Sequence, residues 1–329
     1  MKSKPNEIIL SVIIPFFNPG NDLEKCLKSI QNQRFKSFEV LLINDGSTDK
    51  SNLIAERYQN SDCRYKYFST NNRGVSAARN LGIEKARGTF ITFIDADDYI
   101  DEKHFSVLVE NIKDSELLVT GYSEVIDDEV VSEFSLPSRV ITTKDEIIDL
   151  IINNEAVKGY ACNKIFKKTL IREFNIRFDE KIFFGEDLLF SISYAQHCNK
   201  CQIISEAGYF YVQPSKKNRQ FDFNRLRRRM TYTDAGLKVL AIAESYPEVN
   251  SYAIKERIGR DGAFCLYQAS RIQMDSEEIE KYFRLFQPFV KWRWKIPNKN
   301  YYWIKQMISI YRFLILGKLN TMKYALIKI

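Results

Sequence analysis

Three apolar runs, each halted by a cluster of polar residues, alternate with amphipathic stretches over the first hundred residues. That alternation restricts the fold more than any other feature of the chain. Ile8-Ile9-Leu10-Ser11-Val12-Ile13-Ile14-Pro15 is apolar on both faces and stops at proline, which predicts a strand buried on two sides. Asp22 to Gln33 has helical spacing, with Leu23, Cys26, Leu27 and Ile30 on one face. Phe38 to Ile43 predicts a second strand ending at Asn44-Asp45-Gly46-Ser47, after which Thr48 or Asp49 can cap a helix reaching about Tyr58. A short strand at Tyr65 to Phe68, a helix from Ser76 to Ala86, a break at Gly88 and a strand from Thr89 to Ile94 complete the series. Such repetition implies a mostly parallel sheet flanked by helices, an α/β fold. Open sheets of this kind bind ligands beyond the carboxyl ends of their strands.

Three polar clusters fall at such ends: Pro15-Phe16-Phe17-Asn18, Asn44-Asp45-Gly46-Ser47 and Asp95-Ala96-Asp97-Asp98. The last is the most demanding. Ionised carboxylates repel one another and are poor strand formers, so three in four positions call for a cation or a donor-rich ligand beside them. A solvated acidic turn is the alternative. Magnesium and manganese prefer oxygen, and typically take one or two carboxylates plus substrate phosphates. Mn2+ or Mg2+ with a diphosphate is therefore the ligand set expected at this edge.

Further along, Leu117 to Tyr122, Ala161 to Phe166 and Gly208 to Val212 predict strands and Asp145 to Ile152 a helix, while the chain from about residue 222 reads as helical. A boundary near Pro214-Ser215-Lys216-Lys217-Asn218 divides the chain into residues 1–215 and 216–329, with the first part split into halves at 1–115 and 116–215. Charge follows this division. No acidic residue occurs after Glu280, whereas eleven lysines and arginines do, so the chain's +7 combines +11 there with about −4 in the first 280 residues.

That basic segment also carries Trp292, Trp294, Tyr301, Tyr302, Trp303, Tyr311, Phe313 and Tyr324. Aromatic rings mixed with cations suit an anionic membrane surface, and the apolar runs, broken by Lys305, Arg312, Lys318 and Lys323, are too short to span a bilayer. The expectation is peripheral attachment at the inner face of the cell membrane. Packing on the first domain, or on a second copy in a homo-oligomer, is the alternative. Nothing matches a nucleic-acid module, so no nucleic-acid partner is expected. The N-terminal residues lack the apolar core of a signal peptide, which favours the cytoplasm. Six scattered cysteines and two histidines make a disulfide framework, a zinc centre at Cys198-Asn199-Lys200-Cys201 or a histidine-centred mechanism unexpected.

Taken in order, Pro15-Phe16-Phe17-Asn18, Asn44-Asp45-Gly46-Ser47-Thr48-Asp49, Asn72-Arg73-Gly74-Val75-Ser76-Ala77-Ala78-Arg79-Asn80-Leu81-Gly82, Asp95-Ala96-Asp97-Asp98 and Gly185-Glu186-Asp187 resemble glycosyltransferase family 2, in its bacterial capsular and exopolysaccharide branch. The resemblance covers roughly residues 8 to 215. It implies the GT-A fold, with residues 1–115 as the nucleotide-binding half and 116–215 as the acceptor half. It implies inverting transfer from a UDP-sugar to a saccharide acceptor linked to a lipid such as undecaprenyl diphosphate. On the same ground Pro15, Phe17, Asn18, Asp45, Gly46, Arg73, Arg79, Asp95, Ala96 and Asp97 border the nucleotide-sugar. Asp45 would accept the nucleobase imide N–H. Asp97 would hold the metal, with Asp95 nearer the ribose and behind it. Asp187 would be the catalytic base, ionised without a raised pKa, with Glu186 as the fallback.

Several roles stay open. Arg79 can meet phosphate or clamp the Asp95 loop internally. Lys164, after Asn163, can meet a phosphate or lie on the surface, the latter being favoured. Asp98 has no assigned task. A nucleotidyltransferase shares the sheet logic, but it would normally carry a glycine-rich phosphate loop after the first strand, where this chain has Pro15-Phe16-Phe17-Asn18. A non-catalytic nucleotide-binding scaffold is opposed by the full set of carboxylates.

Overall fold

The computed structural model describes residues 8–213 and 223–271, together with 284–285 and 288–289. Strands β1 (Leu10–Phe16), β2 (Phe38–Asn44), β3 (Tyr65–Ser69) and β4 (Phe90–Phe93) form a parallel set in the order β3-β2-β1-β4. Helices α1 (Asp22–Gln31), α2 (Ser51–Ser61) and α3 (Val75–Lys85) join them. The two-faced apolarity of β1 has a direct cause. Leu10, Val12 and Ile14 enter one hydrophobic cluster and Ile13 the other, and β2 divides the same way, with Val40 and Leu42 against Leu41 and Ile43.

Pro15 does not stop β1, contrary to expectation. It lies in register with Ile43 of β2, and the strand runs on to Phe16. On its other side β4 pairs only as far as Ile13, so a residue without an N–H is tolerated there.

The chain continues through β5 (Tyr99–Ile100), α4 (His104–Ile112), β6 (Leu117–Val119), β7 (Tyr122–Ile126), β8 (Glu129–Phe134), β9 (Arg139–Ile141), α5 (Lys144–Asn153), β10 (Lys164–Lys167) and α6 (Lys168–Glu173). It then forms α7 (Glu186–Ala195), β11 (Cys201–Ile203), β12 (Tyr209–Val212), α8 (Phe223–Ala243) and α9 (Tyr252–Arg271). The large sheet has eight strands in the order β3-β2-β1-β4-β10-β6-β11-β9, and a second sheet has four, β5-β12-β7-β8. Strand β10 runs antiparallel to both β4 and β6.

The single strand expected from Leu117 to Tyr122 is two. Thr120 N–H donates to Asn163 O and Gly121 N–H to Glu206 O, each at 3.0 Å, and there the chain passes from the large sheet to the small one. Leu226, Met230, Val239, Ile254 and Ile258 bring α8 and α9 into the same cluster as Ile13 and Ile43. Among the described residues no helix is long and apolar enough to cross a membrane. The boundary expected near Pro214 and, apart from residues 284–285 and 288–289, the aromatic-cationic segment after Glu280, with its membrane and subunit alternatives, lie outside the described residues.

Phe93 is the hub beneath the sheet edge. Its ring meets Phe166, Phe178 and Phe190 edge-on at centroid distances of 6.0, 5.3 and 5.8 Å, and Phe178 stacks on Phe190 at 4.0 Å. Phe190 is fully buried, so Phe190→Ala is expected to destabilise the protein by about 3–5 kcal/mol. Urea unfolding measures this, and an unchanged midpoint would show that the cluster carries no such energy.

Candidate active site

Because β2, β1 and β4 are parallel neighbours, their carboxyl ends share one edge, and the three polar clusters meet there. Phe16 is in register with Asn44, and Asp45 N–H donates to Phe16 O at 2.9 Å. The Asp45 carboxylate is buried and already engaged. Arg73 N–H donates to its Oδ1 and Gly74 N–H to its Oδ2, both at 2.8 Å. The Thr70 hydroxyl also lies 3.4 Å from Oδ1, so Oδ2 is the oxygen that retains a lone pair for one further donor. Gly46 has φ +80, and a Cβ there would lie 2.9 Å from Asn72 N. Only glycine lets the loop return this closely.

Asn18, at φ +52, receives Thr48 and Asp49 N–H groups on its Oδ1 at 2.7 and 3.2 Å. Its carboxamide thus ties the first loop to the second. Phe17 is half exposed beside it. The Arg73 side chain turns outward to Glu180 at 2.7 Å, so only its main chain serves Asp45.

Of the two readings left open for Arg79, the internal clamp is the one formed. Its side chain, 5% exposed, meets Asp187 at 2.6 Å, Asp95 at 3.0 Å and Glu186 at 3.1 Å. Phe178 lies under the guanidinium at 5.2 Å. Helix α3, the end of β4 and the start of α7 are thereby joined by one cation. Burial alone would weaken that charge, but Asp187, Asp95 and Glu186 outweigh it and hold the guanidinium ionised.

Glu186 and Asp187 open α7 after Gly185. That residue sits at φ +82, and a Cβ there would come within 2.9 Å of the Tyr232 ring. Ala161 N–H donates to Asp187 Oδ2 at 3.1 Å. Asp187 departs from the expectation of an unraised carboxylate. Burial pushes it up, and Arg79, the Ala161 N–H and Lys164 only partly draw it back. Burial and then Asp187 raise Glu186 to about 7.

The acidic turn is divided in use. Ala96 is buried in the core. Asp98 is buried too, accepting the Tyr209 hydroxyl on Oδ2 and Val212 N–H on Oδ1 at 2.8 Å, so it anchors the turn to β12. Asp95 gives Oδ1 to Arg79. Asp97 is exposed, and among the described residues no other residue's donor meets its carboxylate. Desolvation by the surrounding protein, then Asp95, raise it to about 6. An exposed carboxylate with a second one beside it and no cationic partner among the described residues fits a divalent cation. Among the described residues no group of three or more His, Cys, Asp or Glu side chains is placed to hold a metal. The site thus offers at most the one or two carboxylates typical of an ion that also binds a diphosphate.

A cleft of about 490 Å³ opens over Asp95, Glu186 and Asp187. Lys164, favoured as a surface residue, is buried beneath its wall. Its ammonium donates to Val157, Lys158 and Tyr160 carbonyls and to Asn163 Oδ1, at 2.7–3.2 Å. Desolvation lowers it to about 8. Its apolar neighbours Ile165 and Phe166 were the one sequence hint of burial. Arg229, Arg257 and Arg260 on α8 and α9 also line the cleft. The spacing of Arg257 and Arg260, on one helix face, was their signal.

A mostly parallel sheet whose edge gathers Asp45, Asp95 and Asp97, with a buried acidic pair beside a cleft, is the architecture of a GT-A fold. Residues 11–174 match the Glycosyl transferase family 2 profile, and the chain belongs to that family. It is 31% identical over 208 residues to "Uncharacterized glycosyltransferase EpsJ" of Bacillus subtilis (strain 168), covering 62% of this chain and 60% of that one. It is 31% identical over 215 residues to a "Cholesterol galactosyltransferase" of Borreliella burgdorferi, covering 62% and 59%. It is 28% identical over 209 residues to "Poly(ribitol-phosphate) beta-N-acetylglucosaminyltransferase TarS" of Staphylococcus aureus (strain MW2), covering 61% and 35%. The chain therefore spans less than two thirds of the length of these relatives. Its fold is similar to that of S. aureus TarS 1-349 in complex with UDP-GlcNAc, with a TM-score of 0.64 and 21% identity over 86% of this chain and 81% of that one.

Proposed function

We infer that this chain moves a sugar from a UDP-sugar to a hydroxyl of a saccharide acceptor, with inversion, in bacterial surface polysaccharide synthesis. The observation that carries this reading is the Arg79 clamp, which sets Asp95 of the donor edge beside Glu186 and Asp187 at one cleft. The TarS complex with UDP-GlcNAc supports a uridine donor. Asp45, with a lone pair to spare on Oδ2, accepts the uracil imide N–H, while Pro15, Phe17, Asn18 and Gly46 shape the loops around the nucleoside.

Asp97, with Asp95 beside it, would hold Mn2+ or Mg2+. The ion, when bound, neutralises charge on the departing diphosphate. The related mannosyltransferase PcManGT of Pyrobaculum calidifontis, solved with GDP-Man and Mn2+, has a TM-score of 0.53 and 15% identity over 95% of this chain and 88% of that one.

Asp187 takes the proton from the acceptor hydroxyl as that oxygen attacks the anomeric carbon opposite the diphosphate. The Ala161 N–H and Arg79 aim its carboxylate. Burial raises its affinity for the proton, which strengthens it as a base once ionised. A lipid-linked acceptor would give the basic, aromatic sequence after Glu280 a reason to rest on an anionic membrane.

Asp97→Asn is expected to abolish Mn2+-dependent hydrolysis of UDP-sugars, screened over a donor panel. Undiminished metal-dependent hydrolysis would remove the metal role. A pH effect also follows. The base must be ionised, and the buried pair retains a proton to a higher pH than free carboxyls do. Transfer should therefore fall away on the acid side at a higher pH than a solvated aspartate would impose. Glu186→Gln removes a neighbouring negative charge, which lowers the Asp187 pKa and moves the acid limb of kcat/KM to lower pH. A limb that stays in place would detach the pair from the rate.

A further inference from the structure

The cleft has a wall that donor binding leaves without a task. Lys158, Arg229, Arg257 and Arg260 line it. Arg229 reaches Asp261 at 3.0 Å and Arg257 reaches Glu155 at 3.2 Å, the two carboxylates that line this wall. Lys158 comes only within 3.9 Å of Glu124 and Arg260 within 3.7 Å of Glu256. Glu155 has 73% of its side chain in solvent, so its hold on Arg257 is screened and yields to a stronger anion. The Arg229 Nε is buried and meets no acceptor among the described residues, so its guanidinium is not fully satisfied by Asp261.

We propose that this wall binds the acceptor through a phosphate carried in the same molecule, close to the hydroxyl that receives the sugar. The proposal rests on the reading above, in which Asp187 activates that hydroxyl in the same cleft. Arginine presents a planar fork of donors that matches phosphate oxygens in pairs, and its charge persists at every working pH. Inversion requires the acceptor to approach opposite the donor diphosphate. A separate set of cations, apart from Asp97, is then what an acceptor phosphate needs. The rings of Phe184, Tyr160 and Tyr232 in the same cleft offer faces for the sugar portion. The cleft volume, about 490 Å³, lies within the roughly 300–1,000 Å³ of small-molecule sites. The phosphate is either the diphosphate of a lipid-linked saccharide or the phosphodiester of an alditol-phosphate polymer.

The test uses the full chain with saturating UDP and Mn2+, so that the donor site is filled. Three probes are titrated by calorimetry: an alkyl-diphosphate-linked monosaccharide, a glycerol-phosphate oligomer and the methyl glycoside of the same sugar. At least one phosphate probe should bind about tenfold more tightly than the glycoside, with affinity falling as salt is raised. The tighter of the two identifies the source of the phosphate. Arg257→Gln and Arg260→Gln should each weaken that probe several-fold and leave UDP affinity unchanged. The Arg260 side chain is 57% exposed, so its loss spares the fold. Equal affinity for all three probes, or phosphate affinity unchanged in both variants, overturns the proposal. Failure of the wild-type chain to bind UDP would overturn the donor reading instead.

Discussion

Asp187→Asn is expected to cut sugar transfer by about 10²–10⁴-fold while UDP-sugar affinity holds. The substitution keeps the shape of the side chain. An amide oxygen can still accept the Ala161 N–H, which now donates to Asp187 at 3.1 Å, and Arg79 keeps Asp95 and Glu186. What disappears is the ability to take a proton. Since Asp187 belongs to α7 and Asp45 to the end of β2, nucleotide binding should not feel the change. The measurement is a pair: UDP-sugar affinity by calorimetry and single-turnover transfer. Equal loss of both would show that Asp187 supports structure rather than chemistry. Residual transfer with a lowered acid limb would indicate that Glu186 has taken over the proton.

The second large effect falls on Arg79. Its guanidinium is 5% exposed and compensates three carboxylates, two of them with 14% and 17% of the side chain in solvent. Solvent therefore screens the cluster poorly. Removing one partner of a buried ionic group costs about 3–5 kcal/mol, because the remaining charges stay buried without compensation. Arg79→Met should lose that much stability, a large part of the roughly 5–15 kcal/mol typical of a domain. It should also raise the carboxylates' proton affinity and suppress transfer at neutral pH. Arg79→Lys should not restore activity, because one ammonium cannot span Asp95 and the α7 pair as a fork does. Urea unfolding and transfer assays at several pH values provide the check. An Arg79→Met chain of wild-type stability and activity would sink the clamp as an energetic element.

The first four strands were legible because their apolar runs and polar stops are local signals, and the register of β1 with β2 brings the stops together. The partners of the stops were not legible. Arg79 lies 107 and 108 residues from Glu186 and Asp187, so sequence could name its chemistry but not choose between phosphate and carboxylate. Lys164 was misjudged because a lysine is normally solvated. The carbonyls of residues 157, 158 and 160, turned inward, and the Asn163 Oδ1 explain its burial. The role of Asp98 depended on Tyr209, which follows it by 111 residues. The break at Thr120 was hidden for a similar reason, since the groups that draw the chain aside, Asn163 and Glu206, lie far along it.

The hold of β12 on the acidic turn bears on how this catalytic unit can be exchanged between chains. The family profile ends at residue 174, yet Tyr209 and Val212 grip Asp98, and the Asp95 N–H donates to the Tyr209 hydroxyl at 3.3 Å. A fragment cut at the profile's end would keep the acidic motif and lose its aim. The smallest portable piece, one that could be grafted onto another acceptor-binding partner with its donor edge intact, runs through β12.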